Sequence, residues 1–250
     1  MDQSHTPLVE IRHFRMQFGK YAAVSDLSFN IQKGETFGLL GSNGSGKTTT
    51  IRALLGIYLP TDGELLIDGK PYSVDGNIKL GYLPEERGLY KKEKVIDVML
   101  YFGQLKGMAR PDAYAWSIDY LKRVGLEGKE KLAVDKLSGG QQQKIQLGVT
   151  IMNDPDLLIL DEPTKGFDPV NRRLLMDIIE ERKLAGATVI FVSHHMEEVE
   201  RLCDRIVLLK DGEVKAYGTI NEVKQQHDGK SLDDIFVELY GAQNEEVEHA

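Results

Sequence analysis

Disulfide chemistry is the first thing this sequence excludes. Its 250 residues contain one cysteine, Cys203, so no internal bridge can form and a reducing compartment is expected. Cys203 shares a helical spacing with Met196, Val199 and Leu202, which reads as a buried thiol serving as a small apolar residue. Long apolar runs are missing as well. The longest, "TFGLL", "LLIL" and "TVIFV", fall far short of the ~20 residues that span a bilayer. The opening "MDQSHTP" lacks a basic-then-apolar pattern, so no signal peptide is expected. A basic surplus is absent too: 31 Lys and Arg against 39 Asp and Glu leave a net charge of −8, which argues against a nucleic-acid partner. There are no repeats or low-complexity tracts. Hydrophobic and charged fractions of 41% and 28% are ordinary for a globular chain, with length for one large domain or two small ones.

What is present is a change of period along the chain. "LVEIRHF" and "DLSFNI" alternate as half-buried strands do, and "TFGLL" is the continuous apolar run of a strand buried on both faces. Asp68-Gly69 and Asp211-Gly212 mark tight turns. From 93 to 155 the period turns helical. Val95, Val98, Met99, Phe102 and Leu105 form one stripe, and Pro111 opens a second helix with Ala115, Ile118 and Leu121 inward. Strands return at "LLIL" (157–160) and "TVIFV" (188–192). Between them lies a helix with Asp168 as N-cap, Leu174, Leu175, Ile178 and Ile179 as its buried face, and Gly186 as its stop. Such alternation predicts an α/β fold with a mainly parallel sheet covered by helices. Residues 223–250 are polar and expected to fray, with a short docked helix at 233–241.

Three places carry chemistry. "GSNGSGKT" (41–48) satisfies G-x-x-x-x-G-K-S/T and lies between a strand and the helix "TTTIRALLG". Backbone amides of such a loop converge on phosphates, a lysine reaches the same oxygens, and a hydroxyl binds Mg²⁺. Gly41, Ser42, Asn43, Gly44, Ser45, Gly46, Lys47, Thr48 and Thr49 are therefore assigned to a nucleoside triphosphate, with Thr48 also on the metal. By itself the motif does not choose among kinases, GTPases and motor ATPases. "LLILDEP" (157–163) narrows the field: Asp161 ends a buried strand, where it can hold Mg²⁺ through water. Glu162 points elsewhere and can polarise an attacking water. His194 ends another apolar strand, where an imidazole can contact the γ-phosphate and that water.

The third place is "LSGGQ" (137–141), a second glycine-rich helix start, and such starts hold anions because their first amides lack partners. One domain has no evident use for two phosphate sites. If Ser138, Gly139, Gly140 and Gln141 meet a nucleotide on another copy, two chains close head to tail around two ATP molecules as a two-fold dimer.

With these motifs in this order, residues 8–222 resemble the ATP-binding subunits of ABC transporters. The resemblance implies a P-loop NTPase (RecA-like) core with an N-terminal antiparallel β subdomain (together 8–85 and 151–222), an inserted α-helical subdomain at 86–150, and a tail at 223–250. It implies that Phe18 stacks on adenine, that "GFDP" (166–169) brings Asp168 to the dimer seam, and that His194 is the switch histidine. One position departs from the pattern. Where the family carries a metal-binding glutamine, "GYLPEERGLY" (81–90) has Glu85, a hard ligand for Mg²⁺ that adds negative charge near the triphosphate. That segment, with "SHHMEEVERLCDR" and "SLDDIFVELYG", resembles ABC-2 type exporters, including sodium, drug and antimicrobial-peptide extrusion systems. The implied partners are a membrane-spanning permease and a second ATP-binding subunit, giving a cytoplasmic protein held at the inner face of the membrane. A soluble ABC ATPase of translation or DNA repair is the alternative. The single P-loop, the compact insertion and the acidic balance speak against it, and a P-loop kinase leaves "LSGGQ" without a use.

Overall fold

A computed structural model describes residues 7–73, 76–86 and 88–241. The chain divides into two compact units, Met1–Ile78 with Thr188–Ala250, and Lys79–Ala187.

The first unit opens with β1 (Val9–Phe18), β2 (Tyr21–Ile31), β3 (Thr36–Gly41), α1 (Lys47–Leu54) and β4 (Asp62–Ile67). β1 pairs antiparallel with both β2 and β4. Its alternation is interrupted: Val9 and Ile11 are buried, but then Phe14 and Met16. His13 takes φ 49°, the register shifts across it, and the inward face moves from odd to even positions. β3 is buried at every residue, as its unbroken apolar run requires.

The second unit contains β5 (Leu80–Leu83), α2 (Val95–Leu105), α3 (Arg110–Arg123), α4 (Gly139–Ile151), β6 (Leu157–Asp161) and α5 (Pro169–Leu184). β5 and β6 run parallel in register from Leu80↔Leu157 to Leu83↔Leu160. Two helix faces depart from expectation. Leu105 is 64% exposed, because α2 turns its inner face to Leu100 and Gly103. There is no room for a side chain at Gly103, where a Cβ would lie 2.8 Å from both Ala113 Cβ and Met152 Sδ. On α3, Ala115 is exposed and Ile118 half-buried, while Ala113, Ser117, Tyr120 and Leu121 face inward. The polar members of that face are satisfied: Ser117 donates to Ala113 O (2.5 Å) and Tyr120 to Lys144 O (2.7 Å). Asp168 and Pro169 open α5 as expected, with Leu175, Ile178 and Ile179 buried and Leu174 half-buried.

The chain then returns to the first unit with β7 (Thr188–Val192), α6 (Met196–Leu202), β8 (Arg205–Lys210), β9 (Glu213–Thr219), α7 (Ile220–Gln226) and α8 (Leu232–Tyr240). β7 and β8 flank β3 in parallel. β8 and β9 form a hairpin across Asp211-Gly212, both at positive φ as a two-residue turn demands. Met196, Val199, Leu202 and Cys203 are buried. Within the polar stretch, residues up to 241 include the end of α7 and all of α8. Tyr240 donates to Leu209 O (2.7 Å) and Lys210 to Leu239 O (2.6 Å), which ties α8 to β8. The ending "NEEVEHA" lies outside the described residues. Among the described residues no helix is long and apolar enough to cross a membrane.

Candidate functional site

In the first unit the loop 41–46 carries the chain from β3 into α1. Gly41 permits the close turn: a Cβ there would sit 2.3 Å from Ser45 Oγ and 2.5 Å from Leu209 O. Gly46, the N-cap of α1, takes φ 103°. The helix start has neither a side-chain cap nor an acidic residue in its first turn, the arrangement that favours an anion. Lys47 folds over the loop, donating to Gly41 O (2.7 Å) and Ser42 O (2.9 Å). Asn43 and Gly44 are exposed at the tip, and Thr48 and Thr49 half-buried behind it.

Two more residues of this unit were singled out by sequence. Phe18, at the end of β1, is 44% exposed and rests edge-on against Tyr58, with ring centroids 5.4 Å apart. Tyr58 in turn accepts a hydrogen bond from Arg52 (3.1 Å), so one side of the Phe18 ring is supported and part of it is open. His194 is exposed beyond β7, its ring 4.2 Å from that of His195. The turn is anchored by buried Ser193, which accepts from the His195 amide (3.0 Å) and donates to Glu198 (3.2 Å).

The second unit holds the carboxylates. Asp161 is 2% exposed at the end of β6, and Glu162, 9% exposed, takes φ 49°. A glutamate in the left-handed region is strained by ~1–3 kcal/mol, the kind of cost that persists where function requires the geometry. The chain then makes two tight turns, Lys165 N–H to Glu162 O (3.2 Å) and Phe167 N–H to Thr164 O (3.0 Å). Asp168 caps α5, accepting from the Asn171 amide (2.9 Å), and that bond holds its carboxyl below the usual range. Glu85 pairs with Lys165, Oε1 to Nζ 2.5 Å, across 80 positions of sequence. The Lys165 ammonium is pushed up, first by that hydrogen bond, then by the charges of Glu85, Glu162 and Asp161.

"LSGGQ" has a local role that its spacing already contained. Ser138 and Gln141 form a capping box on α4, with Gln141 N–H to Ser138 Oγ at 3.3 Å and Ser138 N–H to Gln141 Oε1 at 3.1 Å. Gly139 and Gly140 are half-buried, and a Cβ on Gly140 would make ordinary contact with the Phe167 ring at 3.6 Å. Within this unit, then, the glycine-rich start of α4 and the 166–168 loop are neighbours.

Sequence reasoning missed two buried glutamines of α4. Gln146 Nε2 donates to Glu86 O (3.1 Å) and Pro84 O (3.5 Å), and Gln143 Nε2 to Pro163 O (3.5 Å). The signal was available: glutamines at i and i+3, with the second lying between Ile145 and Leu147 in the apolar half of the helix. Lys165 was missed for another reason, since nothing local marks a lysine whose partner is far along the chain.

Of the oxygen donors assigned to a metal, Thr48 belongs to the first unit and Glu85 and Asp161 to the second. Among the described residues no cluster of three or more His, Cys, Asp or Glu is preassembled. The donors themselves, a hydroxyl and two carboxylates, suit Mg²⁺, which takes oxygen ligands, keeps several waters, and relies on one or two carboxylates plus phosphate oxygens.

Comparison with known proteins gives a consistent result. A family model described as "ABC transporter" matches residues 24–165. An uncharacterized ABC transporter ATP-binding protein of Methanocaldococcus jannaschii is 44% identical over 218 residues, spanning 87% of this chain and 79% of that protein. The linearmycin resistance ATP-binding protein of Bacillus subtilis is 34% identical over 228 residues, 90% of this chain and 73% of its own. Nod factor export ATP-binding protein I of Burkholderia lata is 35% identical over 236 residues, 93% of this chain and 76% of its own. A solved structure described as the ATP binding subunit of an ABC transporter superposes with a TM-score of 0.85 at 30% identity, covering 93% of this chain and 99% of that one.

Proposed function

Because the chain belongs to the ABC transporter family, we propose that two copies clasp two ATP molecules and drive export through a separate membrane-spanning permease. The chain is an ATP-binding subunit that hydrolyses ATP for transport, and such subunits work with membrane components. Beyond that, the observation that carries the proposal is the pair of glycine-rich helix starts, α1 and α4, in different units, neither with an acid in its first turn. The cradle 41–49 takes the triphosphate of its own copy, and Phe18 carries the adenine. A flat apolar ring accepts either purine, so ATP and GTP should be weakly discriminated. Ser138–Gln141 take the γ-phosphate held by the partner copy. Asp168 and its exposed neighbour Val170 lie at the seam.

Thr48, Asp161 and Glu85 would hold Mg²⁺, which when bound would neutralise charge at the phosphates. Glu162 accepts the proton of the attacking water as its oxygen bonds to the γ-phosphorus and the bond to the β-phosphate oxygen breaks. His194 orients that water and the γ-phosphate. Export is supported by two relatives, one named for Nod factor export and one for linearmycin resistance. Glu162→Gln should lower turnover by about 10²–10⁴-fold while retaining ATP, and should trap a dimer in light scattering. A monomer that hydrolyses ATP at the normal rate refutes the scheme.

A further inference from the structure

Two loops of the second unit are gripped by one helix. Gln146 of α4 holds the backbone on both sides of Glu85, through Pro84 O and Glu86 O. Three residues earlier, Gln143 holds Pro163 O, beside Glu162. Both glutamines are buried, so these bonds are sheltered from water. The open cleft between the loops is lined by Glu85, Glu86, Gln143, Lys165 and Gly166. Across it the Glu85 carboxylate meets the Lys165 ammonium at 2.5 Å.

An exposed ion pair between freely moving side chains is worth little. Here the two backbones are fixed by a shared helix, and the lysine stands three residues after a catalytic carboxylate and three before the Asp168 cap. A carboxylate meant for Mg²⁺ close to a triphosphate would repel the phosphates before metal arrives, unless a cation covers it. We infer that Lys165 is a positioning residue, an internal counter-ion that holds the Glu85 carboxylate until a divalent cation takes its place. The carboxylate exchanges an ammonium for the metal, so its negative charge is covered in both states. This rests on the reading of Glu85 as a metal ligand.

The test is metal linkage rather than turnover. Affinity for a fluorescent β,γ-imido analogue of ATP is measured with Mg²⁺ and with EDTA, and the ratio of the two dissociation constants is compared among variants. Lys165→Ala should enlarge the benefit of Mg²⁺ roughly two- to fivefold, the range of an exposed pair. Binding weakens without metal, where the carboxylate is bare, and strengthens with it, where the competitor is gone. Glu85→Gln should shrink the benefit, and the double variant should match Glu85→Gln alone. Lys165→Arg, which preserves the pair, should behave as the parent. If Lys165→Ala leaves the ratio unchanged while Glu85→Gln alters it, the counter-ion role is wrong and the metal ligand stands. If Glu85→Gln alters nothing, it is the metal assignment that fails, and the exchange with it.

Discussion

At the scale of single residues, Gly46 shows how one missing side chain leaves the start of a helix open for the anion proposed there. With φ at 103° it turns the chain into α1, and a Cβ there would stand 3.0 Å from both Ala23 O and Val24 Cγ2. The Val24 methyl can turn away but the Ala23 carbonyl cannot, and a φ of 103° disfavours any side chain whatever the space. Gly46→Ala should destabilise the fold by about 1–3 kcal/mol and weaken nucleotide binding more than tenfold. Thermal melting and nucleotide titration measure the two effects, and an unchanged affinity would mean that the cradle tolerates a shifted amide. What was legible at this scale is the candidacy of Lys47, Asp161 and Glu162, which spacing alone marks. Their surroundings were not. The capping box of Ser138 and Gln141 gives those residues a use within their own helix, so a Ser138→Ala result would mix a lost cap, worth about 1 kcal/mol, with any lost ligand contact.

At the scale of elements, the strands were readable wherever burial is two-sided, as in β3 and β6, since no register choice is then needed. Faces were misread where a small or polar residue occupies the core. Gly103, Ser117 and Tyr120 break the apolar period while packing inward, and the bulge at His13 resets an alternation that looked continuous. Lys106, just past α2, was invisible for the same reason. Its Nζ donates to Thr150 O (2.9 Å) in the last turn of α4, and to Leu80 O (3.4 Å). Burial pushes its ammonium down to about 8. Below that pH the group is charged in both the folded and unfolded states, and burying it costs stability. As pH rises from 8 towards the unfolded value near ~10.4, the folded state has shed the proton and the unfolded state still holds it. The unfolded state then binds more protons, so stability attributable to this group rises with pH over that window. Measured against Lys106→Met by urea unfolding, the parent should gain about 1–3 kcal/mol between pH 7 and 10. A difference independent of pH would mean that the amine is solvated in the folded state.

At the scale of the whole molecule, the question is whether α4 opens towards a second copy, and Gly140 offers a variant that separates fold from assembly. The position is helical and in the first turn of α4, where an acidic side chain is favoured by the unpaired amides. The added Cβ meets only the Phe167 ring, at 3.6 Å. Gly140→Asp should therefore fold as well as the parent and bind nucleotide through its own 41–49 cradle with unchanged affinity. What it cannot do is accept a triphosphate at the start of α4, because the new carboxylate would face the phosphate charge in a site closed to solvent. Combined with Glu162→Gln, it should abolish the ATP-dependent dimer in light scattering. Alone, it should lower hydrolysis at least about 100-fold, the scale of losing one preorganised donor set at a phosphoryl group. Gly140→Ala, with the same backbone demand and no charge, separates sterics from repulsion and should retain most of the dimer. If Gly140→Asp still dimerised with ATP and hydrolysed it normally, the start of α4 would be only a helix cap, and each copy would have to complete its own pocket.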